Sequence, residues 1–278
     1  MLTSLCFPDS SKSCFACCPP IRPKGYDHSD HRNIIKRVLR ENTSGYSSED
    51  RSIRPVTGFS CWALGYLDPE FRQPGCLLHP FQNNGNDLRY RIDYGTKCIR
   101  EACHEARIFE KLKKDQKSFW LDLTHGMDSF EYSSRKTNML FNILGWGNKV
   151  LAILADKESV RFSDRAHFLR EYPFFESSIL PKGNAYLLTY IVNRIGPVIL
   201  KKPEFKRSFQ HFSTDLTARI KDRFDLAAGP VHVHRMEIDI LFADFLRISL
   251  RIKRSDYSNA EKIMQYADDQ LKIFCGNL

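Results

Sequence analysis

Apolar positions recur at helical spacing along parts of this chain and are scattered in others. In "DHSDHRNIIKRVLREN", Ile34, Ile35, Val38 and Leu39 predict a short amphipathic helix, and the polar "TSGYSSEDRS" after it reads as a loop. "GFSCWALGYLDPEFRQPGCLLHP" carries two short apolar pieces, around Cys61 and Cys76. They flank the turn pairs Asp68-Pro69 and Pro74-Gly75, which predicts a loose hairpin that brings the two cysteines together. "FQNNGNDLRYRIDYG" is loop-like. "TKCIREACHEARIFEKLKK" reads as one helix, with Ile99, Ala102, Cys103, Ala106 and Phe109 on a stripe.

From about Phe119 onward the pattern is mainly helical. "SDRAHFLRE" predicts a short helix capped by Ser163, and "NAYLLTYIVNRIGP" a helix that stops at Gly196-Pro197. Pro203 suits the first turn of the helix "PEFKRSFQHFSTDLTARIKDRF". Gly229-Pro230 precedes a long apolar-periodic stretch to about Ile252. Ser258 and Glu261 have capping-box spacing at the start of the last helix, and "GWGNK" at 145–149 reads as a helix–helix turn. The expected fold class is α+β, mostly helical. A loop-rich cysteine module over 1–110 is followed by a basic, mainly α-helical region over 111–278.

Composition sharpens that division. Eight of nine cysteines fall between Cys6 and Cys103. Residues 1–110 have a net charge of +2, and the remainder has the other +7 of the total +9. The longest apolar stretches, Met139 to Ala155 and Tyr186 to Leu200, are broken by "GWGNK" and "NRIGP", so no membrane span is expected. The N-terminus shows no basic region followed by an apolar run, which points to a cytoplasmic protein whose thiols stay reduced.

The cysteines are spaced Cys6-x7-Cys14-x2-Cys17-Cys18, Cys61-x14-Cys76 and Cys98-x4-Cys103. Two residues between cysteines let the chain loop so that both sulfurs reach one ion, and a tetrahedral zinc takes four such ligands. Disulfides and plain burial are the competing readings; the first lacks an export signal. Metal binding by Cys6, Cys14, Cys17, Cys18, Cys61, Cys76, Cys98 and Cys103 is the leading expectation. In an extended strip adjacent Cys17 and Cys18 point to opposite sides, so two ions can share it, whereas a single site requires one of them to be idle or an unusual backbone turn. On one continuous helix Cys98 and Cys103 would sit roughly 140° apart. We therefore expect Cys98 at or before the helix N-terminus and Cys103 one turn inside. Cys275 lies on the apolar stripe of Ile263, Ala267 and Leu271 and reads as core.

Cys14-x2-Cys17-Cys18 followed by "CWALGYLDPEFRQPGCLLHP" resembles the YkgJ-type CxxCxxCC family of zinc- or iron-chelating proteins. Cys61, Leu64 and Cys76-Leu77-Leu78-His79-Pro80 fill the places of that family's later pieces, and the resemblance covers about residues 6–108. It implies metal binding rather than a defined reaction.

Other residues offer weaker chemistry. His79 is a candidate nitrogen ligand or a turn-fixing residue; His104, and the pair His232 and His234, are candidates on the same footing. Asp122, Asp128, Glu237 and Asp239 read as solvated or capping carboxylates. Arg22, Lys97 and Arg100 could offset thiolate charge. No phosphate-cradling glycine motif, nucleophile elbow or HExxH is present, so no enzyme activity is assigned. Lys201, Lys202, Lys206 and Arg207 interleave with Phe205, Phe209 and Phe212, and Arg247, Arg251, Lys253 and Arg254 form a second basic cluster. The expectation is a zinc protein with a structural or scaffolding role. The alternatives are an iron–sulfur electron-transfer or redox-sensing protein, and a basic helical adaptor for nucleic acid or protein.

Overall fold

A computed structural model describes residues 4–18, 25–57, 60–93, 95–100, 103–158, 162, 164–176, 179–224 and 229–278, without the side chains of 97, 99 and 100. It is mostly helical, with two small antiparallel sheets of two strands each. Two compact units are present. The first comprises residues 1–117 and 124–141; the second comprises 118–123 and 142–278. The division expected at 110/111 therefore moves, because the segment after Thr124 packs with the cysteine strip.

In the first unit, residues 4–18 form no helix or strand, as their Pro, Ser and Cys content predicts. Helix α1 (Arg32–Ser44) buries Ile35 and Leu39, while Ile34 on its far side is exposed. It packs on the hairpin of β1 (Leu64–Tyr66) and β2 (Pro74–Cys76), in which Leu64 lies opposite Cys76. Polar residues of α1 fasten this contact. Asn42 Nδ2 donates to the carbonyls of Cys61 and Leu64 at 3.1 and 2.8 Å, and Thr43 Oγ1 accepts from the Tyr66 N–H at 2.7 Å. Gly65 is required by that approach, since a Cβ there would lie 2.7 Å from Thr43 Oγ1.

The helix expected over 96–114 is broken. Helix α2 (Gly95–Arg100) and helix α3 (His104–Glu110) are separate, and Cys103 is the N-cap of α3. Cys98 thus lies inside a helix and Cys103 at a helix start, the reverse of the expected placement. The break removes the angular conflict that one continuous helix would impose. Helix α4 (Lys114–Leu121) and helix α5 (Ser129–Ser133) follow; α5 begins with a capping box of Asp128 and Glu131. Helix α6 (Leu140–Leu144) ends in the "GWGNK" turn, where Gly147 takes φ +89°.

The second unit holds helix α7 (Asn148–Lys157), helix α8 (Arg165–Glu171), helix α9 (Pro181–Ile195) and helix α10 (Pro203–Arg223). As expected, α9 stops at Gly196 and α10 starts at Pro203. Ser163 lies outside the described residues, and Asp164 caps α8 by accepting from the His167 N–H at 2.8 Å. The stretch from Gly229 to Ile252 is not one helix. It forms β3 (Val231–His232), helix α11 (Ile240–Asp244) and a π-helical turn over Phe245–Ser249. Strand β4 (Arg254–Ser255) pairs with β3, and helix α12 (Tyr257–Gly276) closes the unit. Asp256, rather than Ser258, caps α12 by accepting from the Asn259 N–H. Apolar periodicity marks where side chains are buried but does not reveal that the backbone changes pitch. The core here is aromatic: Trp146, Phe174, Phe205 and Phe209 pack edge-on or tilted, with ring centroids 5.1–6.1 Å apart. No helix among the described residues is long and apolar enough to cross a membrane.

Candidate metal centre

The cysteine strip is held in place by polar bonds from α5 and β2. The Ser13 N–H donates to Ser129 Oγ and the Phe15 N–H to Ser133 Oγ, both at 3.0 Å. Ser13 Oγ donates to the Pro74 carbonyl at 2.6 Å, and Tyr132 Oη to the Leu5 carbonyl at 2.9 Å. Within the strip the Cys14 N–H donates to the Cys6 carbonyl at 2.8 Å, so these two cysteines are neighbours. The Cys18 N–H donates to the Phe15 carbonyl at 3.0 Å, which closes a turn around Cys17.

None of the nine cysteines is in a disulfide; Cys17 is exposed, Cys61 buried and the others half-buried. The eight N-terminal thiols sort into two sets of four. Cys18, Cys61, Cys76 and Cys98 share one apolar cluster with Phe15, Ile35, Leu39, Leu64 and Leu78. Burial pushes Cys61 up to about 11 and Cys76 to about 12, and in each case neighbouring sulfurs of this set add to the effect. Cys18 is raised well above the ordinary thiol value, first by its hydrogen bond to Cys17, then by burial and the charges of Cys17, Cys76 and Cys61. Cys6, Cys14, Cys17 and Cys103 form a second neighbourhood, with Cys17 also in contact with Cys18. Burial and then Cys17 raise Cys6 to about 11. Burial and then Cys17 dominate the upward shift of Cys14, with smaller contributions from Cys6 and Cys103. Cys18 is hydrogen-bonded to Cys17 across the turn, so Cys17 touches both groups, and the two adjacent thiols are not separated as the alternation of an extended strip would require.

Backbone N–H groups reach several of these sulfurs from two residues ahead. Ala16 donates to Cys14 Sγ at 3.5 Å. The backbone N–H groups of Ala63, Leu78 and Glu105 exert the same downward pull on Cys61, Cys76 and Cys103, while the Leu64 N–H donates to the Cys61 carbonyl at 3.0 Å. Bonds to sulfur favour thiolate over thiol, so they oppose the effect of burial. Each set also has an arginine. Arg135 grips the Glu105 carboxylate at 2.5 and 3.1 Å, and the Cys103 thiol donates to Glu105 Oε2 at 2.9 Å. Burial pushes the Glu105 carboxyl up, but the bonds from Arg135 and Cys103 outweigh it and bring the group down to about 2. Arg89 is gripped by Asp87 at 2.6 and 2.9 Å and donates to the Cys98 carbonyl at 3.0 Å, beside Cys76.

Among the described residues, no three His, Cys, Asp or Glu side chains converge closely enough in this structure to hold an ion. The sorting reflects neighbourhood and shared burial rather than a closed cage. The donor chemistry nevertheless fits a metal: eight reduced thiols in two sets of four, most of them raised by burial and by one another, a repulsion that a divalent cation reverses.

Arg22 lies outside the described residues, as do the side chains of Lys97 and Arg100, so their expected part in charge compensation is not placed. Arg89 and Arg135 stand beside the thiols instead. Arg89 sits in the loop-like segment and Arg135 beyond residue 110; neither carries a spacing signal toward a cysteine. His79 fixes a turn, its Nδ1 accepting from the Phe81 N–H at 3.3 Å. His232 meets Arg254 across β3 and β4 at 3.0 Å. Asp128 and Asp239 are helix caps. Phe205, Phe209 and Phe212 are buried, so they present no stacking face among the basic residues. Lys201 pairs with Glu158 at 3.0 Å, and Lys206 donates to the Glu176 carbonyl. No family model, curated protein or solved structure matches this chain.

Proposed function

We propose that this chain binds two zinc ions in two all-cysteine sites, and that these ions substitute for hydrophobic core in a loop-rich unit. Cys6, Cys14, Cys17 and Cys103 hold one, and Cys18, Cys61, Cys76 and Cys98 the other. The observation that supports this reading is the gathering of eight thiols, none of them in a disulfide, into an apolar cluster with Cys61 and a neighbourhood around Cys6 and Cys14, with Cys17 in contact with Cys18 where the two adjoin. Four thiolates match the coordination of structural zinc and leave no open position for a substrate, which favours scaffolding over catalysis. Metal binding of this kind supplies folding free energy directly. Residues 4–18, 45–57 and 60–63, which contain no named helix or strand, are where such support is needed. The cysteine spacing that resembles the YkgJ-type family supports the same donor set.

Elemental analysis of anaerobically purified protein tests this. The expected result is two zinc ions per chain in a colourless protein. Cys17→Ser and Cys18→Ser should each retain about one ion, the double variant none, and Cys275→Ser both. Metal-free folded protein, or a single ion lost equally in Cys17→Ser and Cys18→Ser, would refute the two-site reading. A brown protein whose visible absorption is bleached by dithionite would replace zinc with iron–sulfur clusters on these residues.

A further inference from the structure

We propose that a cleft in the first unit, apart from the cysteine sets, binds a small organic oxyanion, a phosphate monoester or a carboxylate, with Arg91 as its anchor. The cleft has a volume of about 600 Å³, and its lining includes Arg51, Gln82, Asn84, Asn86, Tyr90 and Arg91. That volume lies in the range of small-molecule sites and exceeds what a bare inorganic ion fills.

Arg91 is the decisive residue. It is 1% exposed, yet its Nε and Nη1 have no hydrogen-bond partner. Only Nη2 is engaged, donating to the Ser47 carbonyl at 3.2 Å. The nearest carboxylate, Asp50, is 4.0 Å away and is also paired with Arg54. The rings of Tyr46 and Trp62 flank the guanidinium at 5.9 and 5.8 Å, a cation–π contact that takes up none of its N–H groups. An arginine cannot lose its charge, so a buried cation is left with unsatisfied donors. Arg91 lines the cleft, and an oxyanion seated against its guanidinium supplies both the charge and the acceptors; guanidinium–oxyanion bonds are among the stronger polar contacts in proteins.

The rim agrees in character. Arg51 is exposed and makes no ion pair among the described residues. Gln82, Asn84 and Asn86 are exposed amides; Gln82 ends a short 3-10 helix, and the other two lie on the turn closed by the Asn86 N–H donating to the Asn83 carbonyl at 2.9 Å. The single acidic side chain in the lining, Asp87, is occupied by Arg89. Tyr90, 50% exposed, adds a flat apolar surface for the organic part of the ligand. The cleft therefore has uncommitted positive charge, amide donors and an aromatic edge. None of these groups belongs to the proposed metal sites, so this inference stands apart from the zinc reading.

Titration calorimetry of the full chain as isolated, with glucose 6-phosphate, succinate and inorganic phosphate as probes, decides the matter. Saturable binding of one equivalent of glucose 6-phosphate or succinate is expected, tighter than inorganic phosphate; which of the two wins identifies the oxyanion. Arg51→Ala, at an exposed position that leaves the fold intact, should weaken binding at least tenfold. Arg91→Gln should abolish it, and Lys206→Ala in the second unit should leave it unchanged. If no probe saturates, or if Arg51→Ala binds within twofold of the parent, the proposal is wrong even should Arg91→Gln fail to fold.

Discussion

Ser129 and Ser133 are the residues that organise the cysteine strip from outside it, and removing both hydroxyls measures how much of that order belongs to the protein. In the double variant Ser129→Ala/Ser133→Ala the backbone N–H groups of Ser13 and Phe15 lose their acceptors. Both residues are buried, Ser13 at 0% and Phe15 at 1% exposure, so water cannot take over. Each stranded buried donor costs about 1–3 kcal/mol, and taking the lower part of that range the pair costs roughly 2–4 kcal/mol. If ordering the strip and binding zinc are one process, that loss appears as roughly 30- to 1000-fold weaker zinc retention. Competition with a chromogenic chelator reads the affinity, and amide hydrogen exchange at Ser13 and Phe15 reads the order of the strip. Ser258→Ala, an exposed serine in the second unit, serves as the control and should change neither. A double variant that keeps parental zinc affinity and parental amide protection would show that α5 does not clamp the strip.

The second unit offers simpler tests. Burial, reinforced by its hydrogen bond to Glu158, raises the Tyr172 phenol above its ordinary value of 10.0. A raised folded value means stability is fully present below about pH 10 and declines as pH rises above it, by up to about 1.4 kcal/mol per pH unit. Urea melts between pH 8 and 11 should show this slope in the parent and a flatter one in Tyr172→Phe. Asp256→Ala should cost about 1 kcal/mol in thermal or urea melts by uncapping α12, whereas Ser258→Ala should cost under about 0.5; equal losses would restore the capping box expected from sequence. Phe209→Ala, which empties the centre of the aromatic cluster, should destabilise by about 3–5 kcal/mol, and a loss under about 1 kcal/mol would mean the ring is not core.

Much of the local architecture was legible in the residue pattern. The spacing of Ile35 and Leu39 located α1, and the turn pairs between Cys61 and Cys76 located the hairpin, because burial on one face and backbone restriction by Pro and Gly act over a few residues. Gly196 and Pro203 marked helix ends for the same reason. Reading failed where two local solutions compete. Ser258 and Asp256 are both good caps, and only the chain's actual entry into α12 selects the aspartate. The apolar run before Ile252 satisfies helical spacing, yet the backbone passes from a short helix to a π-turn where Ser249 Oγ donates to the Gly183 carbonyl at 2.8 Å.

The sequence by itself determined that eight cysteines gather in the first part of the chain, at a spacing that suits a soft-metal donor set. It could not say which thiols meet. The grouping of Cys103 with Cys6 and Cys14, and of Cys98 with Cys61 and Cys76, depends on a helix break between Cys98 and Cys103 and on serines of α5 more than a hundred positions along the chain from the residues they hold. Nor could composition distinguish the exposed Arg51 from the buried, half-satisfied Arg91. Periodicity reports which side of an element turns away from water. Which distant surface it turns toward is decided by packing of the whole unit, and the chemistry of both thiol sets and of the cleft arises at that level.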